Sequence, residues 1–140
     1  MNAFLLDACV LSELVKQEPD TRVKAWVGGQ ADDRLYISVV SVAEIVQGIE
    51  RMEPGVKRDR LSDWLEELVR TRRQLILDID LEVARAFGTL QGRATRDGRR
   101  IPVQDGWIAA SAKVHDLTLV TRNVGDLEGA GVVVLNPWKP

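Results

Sequence analysis

The sequence predicts an α/β fold, a three-layer α/β/α sandwich with a central, mainly parallel sheet of about five strands. Short apolar runs alternate with longer amphipathic runs over the whole chain, as they do where helices connect parallel strands. The apolar runs are nearly continuous, which indicates strands that are covered on both faces. No repeat or linker interrupts the 140 residues. We therefore expect one domain over residues 1–140.

The predicted strands are short and rich in Leu, Ile and Val. The first covers residues 4–6 and ends at Asp7. Four further strands are expected at 35–39, 75–77, 117–121 and 132–135.

Six helices are expected between these strands, at 9–17, 20–28, 42–51, 57–73, 81–96 and 105–115. In the fourth helix, Leu61, Leu65 and Leu68 recur at helical spacing opposite a face of Arg and Glu. Asp80 has the position of an N-cap for the fifth helix.

The composition limits the compartment and the chemistry. Cys9 is the only cysteine, so no intramolecular disulfide can form and a reducing compartment is expected. Asp7 interrupts the first apolar stretch, which therefore does not match a signal peptide. No apolar run approaches the roughly 20 residues that cross a bilayer. These features predict a cytoplasmic protein without a membrane segment.

The net charge of −2 conceals an uneven distribution. Residues 51–100 hold 12 of the 19 Lys and Arg residues and 9 of the 21 acids. A basic half beside an acidic site would suit an enzyme that acts on a polyanion. Ordinary solvated helix faces are the simpler interpretation.

Four acids that are distant in sequence lie just after predicted strands or at the start of predicted helices. Asp7 directly follows the first strand and Asp126 lies five residues after strand 117–121, whereas Glu44 opens the helix after strand 35–39 and Asp105 opens the helix that leads into strand 117–121. Ligands of open parallel sheets bind at the carboxyl ends of the strands. Carboxylates gathered there would repel one another and raise one another's pKa values, unless a divalent cation balances their charge. Oxygen ligands without His or Cys favour Mg²⁺ or Mn²⁺.

Three of these acids also have ordinary structural interpretations. The segment from Ser41 to Glu44 matches a capping box, in which the glutamate accepts from a backbone amide. Asp105 could be a helix acid that the dipole stabilises, and Asp126 a turn residue next to Gly125. Asp7 is harder to explain in this way, because a charge that ends a buried strand needs a partner.

Other catalytic arrangements find little support in the sequence. His115 is the only histidine, so a zinc site is not expected and a Cys/His pair would require Cys9 to meet it. No strand is followed by a glycine-rich phosphate loop, and the four tryptophans are too scattered to suggest a platform for stacking bases.

Four motifs occur in order along the chain: Leu-Leu-Asp-Ala-Cys-Val-Leu-Ser-Glu at 5–13, Ser-Val-Ala-Glu-Ile-Val-Gln-Gly at 41–48, Val-Gln-Asp-Gly-Trp-Ile-Ala-Ala at 103–110 and Leu-Val-Thr-Arg-Asn-Val-Gly-Asp-Leu at 119–127. With them the chain resembles the PIN-domain ribonucleases, and among these the VapC-type toxins of toxin–antitoxin pairs, near the FitB-like branch. The ending 134–138, Val-Leu-Asn-Pro-Trp, also resembles that branch, and the similarity runs almost from end to end.

The resemblance implies a metal-dependent endoribonuclease that hydrolyses RNA phosphodiester bonds. Asp7, Glu44 and Asp105 match the family's acidic positions and would bind Mg²⁺, with Mn²⁺ as a substitute. Some relatives place the fourth acid where this chain has Asn123 and others where it has Asp126. We expect Asp126 to bind the metal with Asn123 assisting.

The resemblance assigns further roles. Thr121 matches a frequent hydroxyl residue that helps to orient water or phosphate. The protein would be a homodimer that a cognate VapB-like antitoxin inhibits, the C-terminal segment of the antitoxin wrapping the active-site groove. Leu11, Leu14 and Val15, with the apolar face of 57–73, are candidate contact surfaces. Basic residues could guide the RNA backbone or could be surface charges; they are Arg93, Arg96, Arg99 and Arg100.

One departure leaves alternatives open. The family usually has Asp-Thr-Asn or Asp-Ser-Asn after the first strand, whereas this chain has Asp7, Ala8 and Cys9. Losing partners that orient a metal ligand weakens metal binding or activity by about 10–100-fold, so a weakened enzyme or a silent binding module is an alternative. A receiver-like phosphoacceptor domain is a further one, but it would need an adjacent acid pair and a late Lys, where this chain has Arg122.

Overall fold

The computed structural model describes residues 2–140, and a five-stranded parallel sheet lies at its centre. Every paired neighbour in the sheet is parallel, in the order β3-β2-β1-β4-β5. This confirms the predicted α/β class. The strands are β1 (Phe4–Leu6), β2 (Leu35–Ser38), β3 (Ile76–Leu77), β4 (Thr118–Val120) and β5 (Val134–Leu135).

The order of the strands reverses at β1. Leu6 lies between Ile37 of β2 and Val120 of β4 in the register. The chain therefore builds one half of the sheet outward from β1 and returns to the other side of β1 for β4 and β5. Such a reversal opens a crevice at the carboxyl ends of the two central strands, where α/β proteins bind their ligands. Asp7 follows β1 at this position.

Six α-helices connect the strands: α1 (Ala8–Leu14), α2 (Thr21–Gly28), α3 (Val39–Glu50), α4 (Val56–Thr71), α5 (Leu81–Arg96) and α6 (Val103–Val114). Three short 3₁₀ helices cover Asp32–Arg34, Arg73–Leu75 and Gly125–Leu127. The predicted cap of the fifth helix is confirmed, because Asp80 Oδ1 accepts a hydrogen bond of 2.9 Å from the amide of Val83. None of the described helices has the length and apolar character needed to span a membrane.

Helices cover both faces of the sheet, as the sandwich prediction requires. Successive residues of β1 point to opposite faces. Phe4 and Leu6 pack with residues of α1 to α4, and Leu5 packs with residues of α5 and α6. Two apolar cores therefore hold the sheet in place and leave its carboxyl edge for polar side chains.

Helices begin earlier than the sequence predicted at two places that matter for the site. Ser38 Oγ accepts from the amide of Val40 at 3.0 Å, so the chain turns into α3 at Val39 and not at residue 42. Pro102 precedes α6, which begins at Val103 and not at residue 105; a proline φ suits the entry to a helix. As a result, Asp105 lies inside the first turn of α6 and Glu44 in the second turn of α3.

Candidate active site

Asp7 is the centre of the candidate site. It directly follows β1 and is 6% exposed. Oδ1 accepts from the amide of Ala8 at 2.8 Å, and Oδ2 accepts from the hydroxyl of Thr121 at 2.7 Å. The buried carboxylate therefore has the partners that the sequence required of it. It serves as N-cap of α1 while its charge stays at the carboxyl edge of the sheet.

Thr121 and Cys9 both approach Oδ2 of Asp7. Thr121 is fully buried after β4, and its hydroxyl oxygen accepts from the amide of Asn123 at 3.1 Å, which leaves the hydroxyl proton for Asp7. Cys9 Sγ lies 3.6 Å from Asp7 Oδ2 and 3.7 Å from Thr121 Oγ1. Burial, and then the charge of Asp7, raise the pKa of Cys9. The thiol therefore remains protonated and is placed as a weak donor to Asp7.

Glu44 lies in α3, half-buried and facing the other acids. Burial raises its pKa to about 7, with further contributions from the charges of Asp7 and Asp105. The capping-box interpretation is wrong: Ser38 caps the helix, and Ser41 is buried inside it. Within residues 2–140, the Glu44 carboxylate accepts no hydrogen bond and forms no ion pair. Its position is therefore not explained by a structural partner.

Asp105 faces Asp7 from the first turn of α6 and is also half-buried. Burial raises its pKa to about 6, followed by the charges of Asp7 and Asp126. A helix N-terminus alone would favour the charged form and lower this pKa. Burial and the charges of Asp7 and Asp126 act in the opposite direction on the pKa of Asp105, so its environment differs from that of an ordinary exposed acid at a helix start.

The loop after β4 carries the remaining predicted residues. Asp126 is exposed in the 3₁₀ helix Gly125–Leu127, and its charge contributes to the raised pKa of Asp105. Asn123 is exposed as well, and only its backbone amide contacts the site, through Thr121. The structure therefore brings Asp126 within electrostatic reach of Asp105, while the Asn123 side chain has no hydrogen-bond partner in residues 2–140.

The chemistry of the donors fits a hydrated divalent cation. Asp7, Glu44 and Asp105 repel one another from three separate elements, and a cation would relieve that repulsion. The cluster is open: among the described residues, no three His, Cys, Asp or Glu side chains are close enough to hold a metal ion by themselves. Mg²⁺ commonly keeps several water ligands and binds to only one or two carboxylates, so an open cluster of this kind suits Mg²⁺ better than a dehydrated ion.

A groove of about 930 Å³ opens beside the carboxylates, between α1, α3 and α4. Cys9 and Glu44 lie where it meets the site. Leu11 is 3% exposed in the core, so its assignment to a contact surface was wrong, although Val15 does line the groove. The groove's walls are mostly apolar and its cations are Lys16, Lys57 and Arg60.

A polar cluster around Glu13 was not predicted from the sequence. Glu13 is 5% exposed; its carboxylate accepts from the amide of Asp20 at 2.9 Å and from Lys16 Nζ at 3.0 Å. Arg122 lies 3.6 Å from the same carboxylate, and its guanidinium stacks 4.0 Å from the ring centre of Trp138. Glu13 among the apolar residues of α1 was the one available signal of a buried charge.

Arg99, considered as a guide for RNA, has a structural role in the protein. Its guanidinium donates to the carbonyls of Glu128 and Gly129. These hydrogen bonds connect two loops. One is the loop that precedes α6, the helix of Asp105, and the other is the loop that carries Asp126. His115 is exposed at the C-cap of α6. Within the described residues it does not pair with Cys9.

The fold and the site define a class of protein: a parallel α/β sandwich whose acidic side chains collect at the point where the strand order reverses. Residues 4–126 match the model of the PIN domain. The chain belongs to the PIN domain family, as its motifs suggested.

Close relatives share nearly the full length of the chain. It is 37% identical over 138 residues to the VapC ribonuclease Y4jK of Sinorhizobium fredii, covering 98% of this chain and 99% of that protein. It is 36% identical over 136 residues to the toxin FitB of Neisseria gonorrhoeae, covering 96% and 98% respectively.

Solved structures show the same architecture. The FitAcB crystal structure from Neisseria gonorrhoeae contains a chain that superposes with a TM-score of 0.92 at 36% identity, covering 98% of this chain and 99% of that one. The structure of FitAB bound to an IR36 DNA fragment gives a TM-score of 0.92 at 34% identity, covering 98% of this chain and 96% of that one. This confirms the predicted PIN-like sandwich.

Proposed function

We propose that the protein is a Mg²⁺- or Mn²⁺-dependent endoribonuclease that acts as the toxin of a VapBC-type toxin–antitoxin pair. The observation that carries the proposal is the placement of Asp7, Glu44 and Asp105, three carboxylates from three elements, at one edge of the sheet, where burial and the charge of Asp7 raise the pKa values of the other two. The names of the relatives, a VapC ribonuclease and a toxin, support the same activity.

In the proposed mechanism, Asp7 and Asp105 would hold the metal, and Glu44 and Asp126 would complete the set of ligands directly or through water. A bound divalent cation would lower the pKa of water and offset the charge that develops on the phosphoryl oxygens. The protein's own contribution is positioning. Thr121 and the Ala8 amide fix the two oxygens of Asp7, so the ligand need not reorganise. Asn123, in the loop after β4 that also carries Asp126, would assist Asp126 in binding the metal.

The proposed partners follow from the relatives and the groove. One relative is named as the toxin FitB, and VapBC-5 from Mycobacterium tuberculosis, which is 25% identical to this chain, is described as a member of the VapBC family of toxin–antitoxin systems. We propose that a VapB-like antitoxin binds here too, with an apolar segment in the groove between α1, α3 and α4 that reaches Glu44. We also propose that the protein is cytoplasmic and forms a homodimer. We propose further that the PIN domain extends beyond residue 126 to residue 140, so that residues 1–140 form one domain.

The main alternative is a PIN domain that binds its partner without cleaving RNA. Ala8 and Cys9 favour this alternative, because they replace the hydroxyl and amide that normally orient the first aspartate. The receiver-like alternative is set aside, since the chain belongs to the PIN domain family.

Incubation of the purified protein with a structured RNA tests the proposal. We expect cleavage with Mg²⁺ or Mn²⁺, none with EDTA, and products with 5′-phosphate and 3′-hydroxyl ends. The Asp105→Asn variant should retain its fold and lose cleavage. Cleavage that persists in EDTA would refute the metal mechanism. No cleavage by a folded protein that still binds its antitoxin would favour the silent module.

A further inference from the structure

Arg122 occupies a prominent position beside the candidate site. It directly follows Thr121, whose hydroxyl binds Asp7, and its side chain is 54% exposed. The guanidinium stacks on Trp138 at 4.0 Å and lies 3.6 Å from Glu13. An arginine on the surface is normally mobile. This one is held in one orientation by a ring on its face and a carboxylate at its edge.

These contacts leave the donors of Arg122 unused. An arginine has five N–H donors, and the 3.6 Å approach to Glu13 is longer than a hydrogen bond. In the described part of the chain its guanidinium donates no hydrogen bond. Arg72 provides a contrast, because it is 13% exposed and donates to Asp32 and to the Leu35 carbonyl. The Arg122 guanidinium is therefore held in one orientation while its hydrogen-bond donors remain available to a ligand.

Glu13 also pairs with a second cation, Lys16, next to Arg122. The hydrogen bond from the Asp20 amide, and then that from Lys16, lower the pKa of Glu13, so this carboxylate stays ionised. Lys16 is 58% exposed and reaches the other side of the same carboxylate at 3.0 Å. Two exposed cations thus flank one buried anion, which leaves an excess positive charge on the solvent side.

We propose that Arg122, with Lys16 assisting, binds a phosphodiester group of the RNA strand that flanks the group to be hydrolysed. The proposal rests on the proposed ribonuclease function and names a subsite for it. A phosphate oxygen pair matches the planar fork of the guanidinium, whose donors form no hydrogen bond within residues 2–140. Stacking on Trp138 reduces the entropy lost on binding, because the side chain is already ordered.

The test measures RNA affinity without cleavage. In the Asp105→Asn background, a single-stranded RNA of about 12 nucleotides is titrated by fluorescence anisotropy at several salt concentrations. We expect Arg122→Gln to weaken binding about 10-fold and to reduce the slope of log K against log salt by about 0.7, the value for one contact with a single strand. Arg70→Gln is the matched control: Arg70 is an exposed arginine near the end of α4 that pairs with Glu67, and its loss should change neither quantity.

Two further variants keep the test decisive if Arg122→Gln disturbs folding. Arg122→Lys should retain the salt slope but bind RNA about 3-fold more weakly, because the fork and the stacking are lost. Trp138→Leu should weaken RNA binding with the slope unchanged. Equal affinity and slope for Arg122→Gln, Arg70→Gln and the parent protein would overturn the subsite alone, as would a loss confined to binding of the antitoxin. A parent protein that neither binds nor cleaves RNA would overturn the proposed function as well.

Discussion

The hydroxyl of Thr121 donates a hydrogen bond of 2.7 Å to Oδ2 of Asp7, across 114 positions of the sequence. The contact joins the carboxyl ends of β1 and β4, the two strands that flank the reversal of strand order. Because the Asn123 amide donates to the same hydroxyl oxygen, the direction of the proton is set. The first carboxylate of the site is therefore oriented by the fold itself.

Replacing Thr121 with valine should weaken metal binding without unfolding the protein. Valine has a similar shape but donates nothing, so one oxygen of Asp7 loses its partner. We expect Mn²⁺ affinity to fall by about 10–100-fold and stability to fall by about 1–3 kcal/mol. Calorimetric titration and thermal unfolding measure these quantities. Thr118→Val, at the other end of β4, is the control, and equal Mn²⁺ affinities for the two variants would contradict this role.

Cys9→Asn should strengthen the site. The Cys9 thiol approaches Asp7 at 3.6 Å as a weak donor, whereas an amide would donate a normal hydrogen bond. We expect the concentration of Mg²⁺ that supports half-maximal cleavage to fall by about 10-fold. Cys9→Ala controls for packing. If asparagine and alanine give the same Mg²⁺ requirement, Cys9 only fills space.

The stability of the metal-free protein should fall as pH rises through the neutral range. The pKa of Glu44 is raised from 4.5 to about 7 in the folded state, so unfolding releases a proton between these values. The contribution of protonated Glu44 to the free energy of unfolding is fully present below pH 4.5 and is lost as pH rises through 7. Asp105, with a pKa raised from 3.8 to about 6, acts in the same direction over a lower range.

Melting temperatures measured in EDTA from pH 4 to 8 would test this. We expect Glu44→Gln to flatten the curve and to exceed the parent protein in stability near pH 8, while Glu53→Gln, an exposed acid, leaves it unchanged. Mg²⁺ should restore the parent protein's stability at high pH. Parallel curves for the parent protein and Glu44→Gln would show that Glu44 is not repelled by its neighbours.

Gly129→Ala should damage the loop that carries Asp126. Gly129 has φ +77, and a Cβ atom there would lie 2.7 Å from Arg99 Nη1. Gly98 has φ +72 with nothing within 4 Å, so Gly98→Ala carries the same left-handed penalty of about 1–2 kcal/mol without the clash. We expect a larger fall in melting temperature and a higher Mg²⁺ requirement for Gly129→Ala. Indistinguishable variants would mean that Arg99 does not position this loop.

Much of the fold could be predicted, because it depends on local patterns. The continuous apolar run of residues 4–6 has to be a buried strand, and Asp80 precedes a helix whose amide it can cap. The location of the acids followed from topology: the carboxyl ends of parallel strands share one edge. Neither inference required knowledge of contacts between distant side chains.

The features that were not predicted depend on such contacts. Ser38 and Ser41 are both fully buried, and the hydrogen bond from the Val40 amide to Ser38 Oγ identifies Ser38 as the cap of α3. The apolar residues around Glu13 in α1 indicate burial, but they do not reveal that Arg122, which is distant in sequence, lies beside its carboxylate. The geometry that distinguishes a cation-binding cluster from scattered acids belongs to the tertiary structure.

Calorimetric titration with Mn²⁺ tests the central claim most directly, namely that carboxylates from separate elements share one divalent cation. The parent protein is compared with Asp7→Asn, Glu44→Gln and Asp105→Asn, and with Asp63→Asn as an exposed control on α4. We predict saturable Mn²⁺ binding that each of the three variants at the site weakens at least 10-fold, while the control does not. Equal Mn²⁺ affinity in all five proteins, or no saturable binding by the parent protein, would contradict the account.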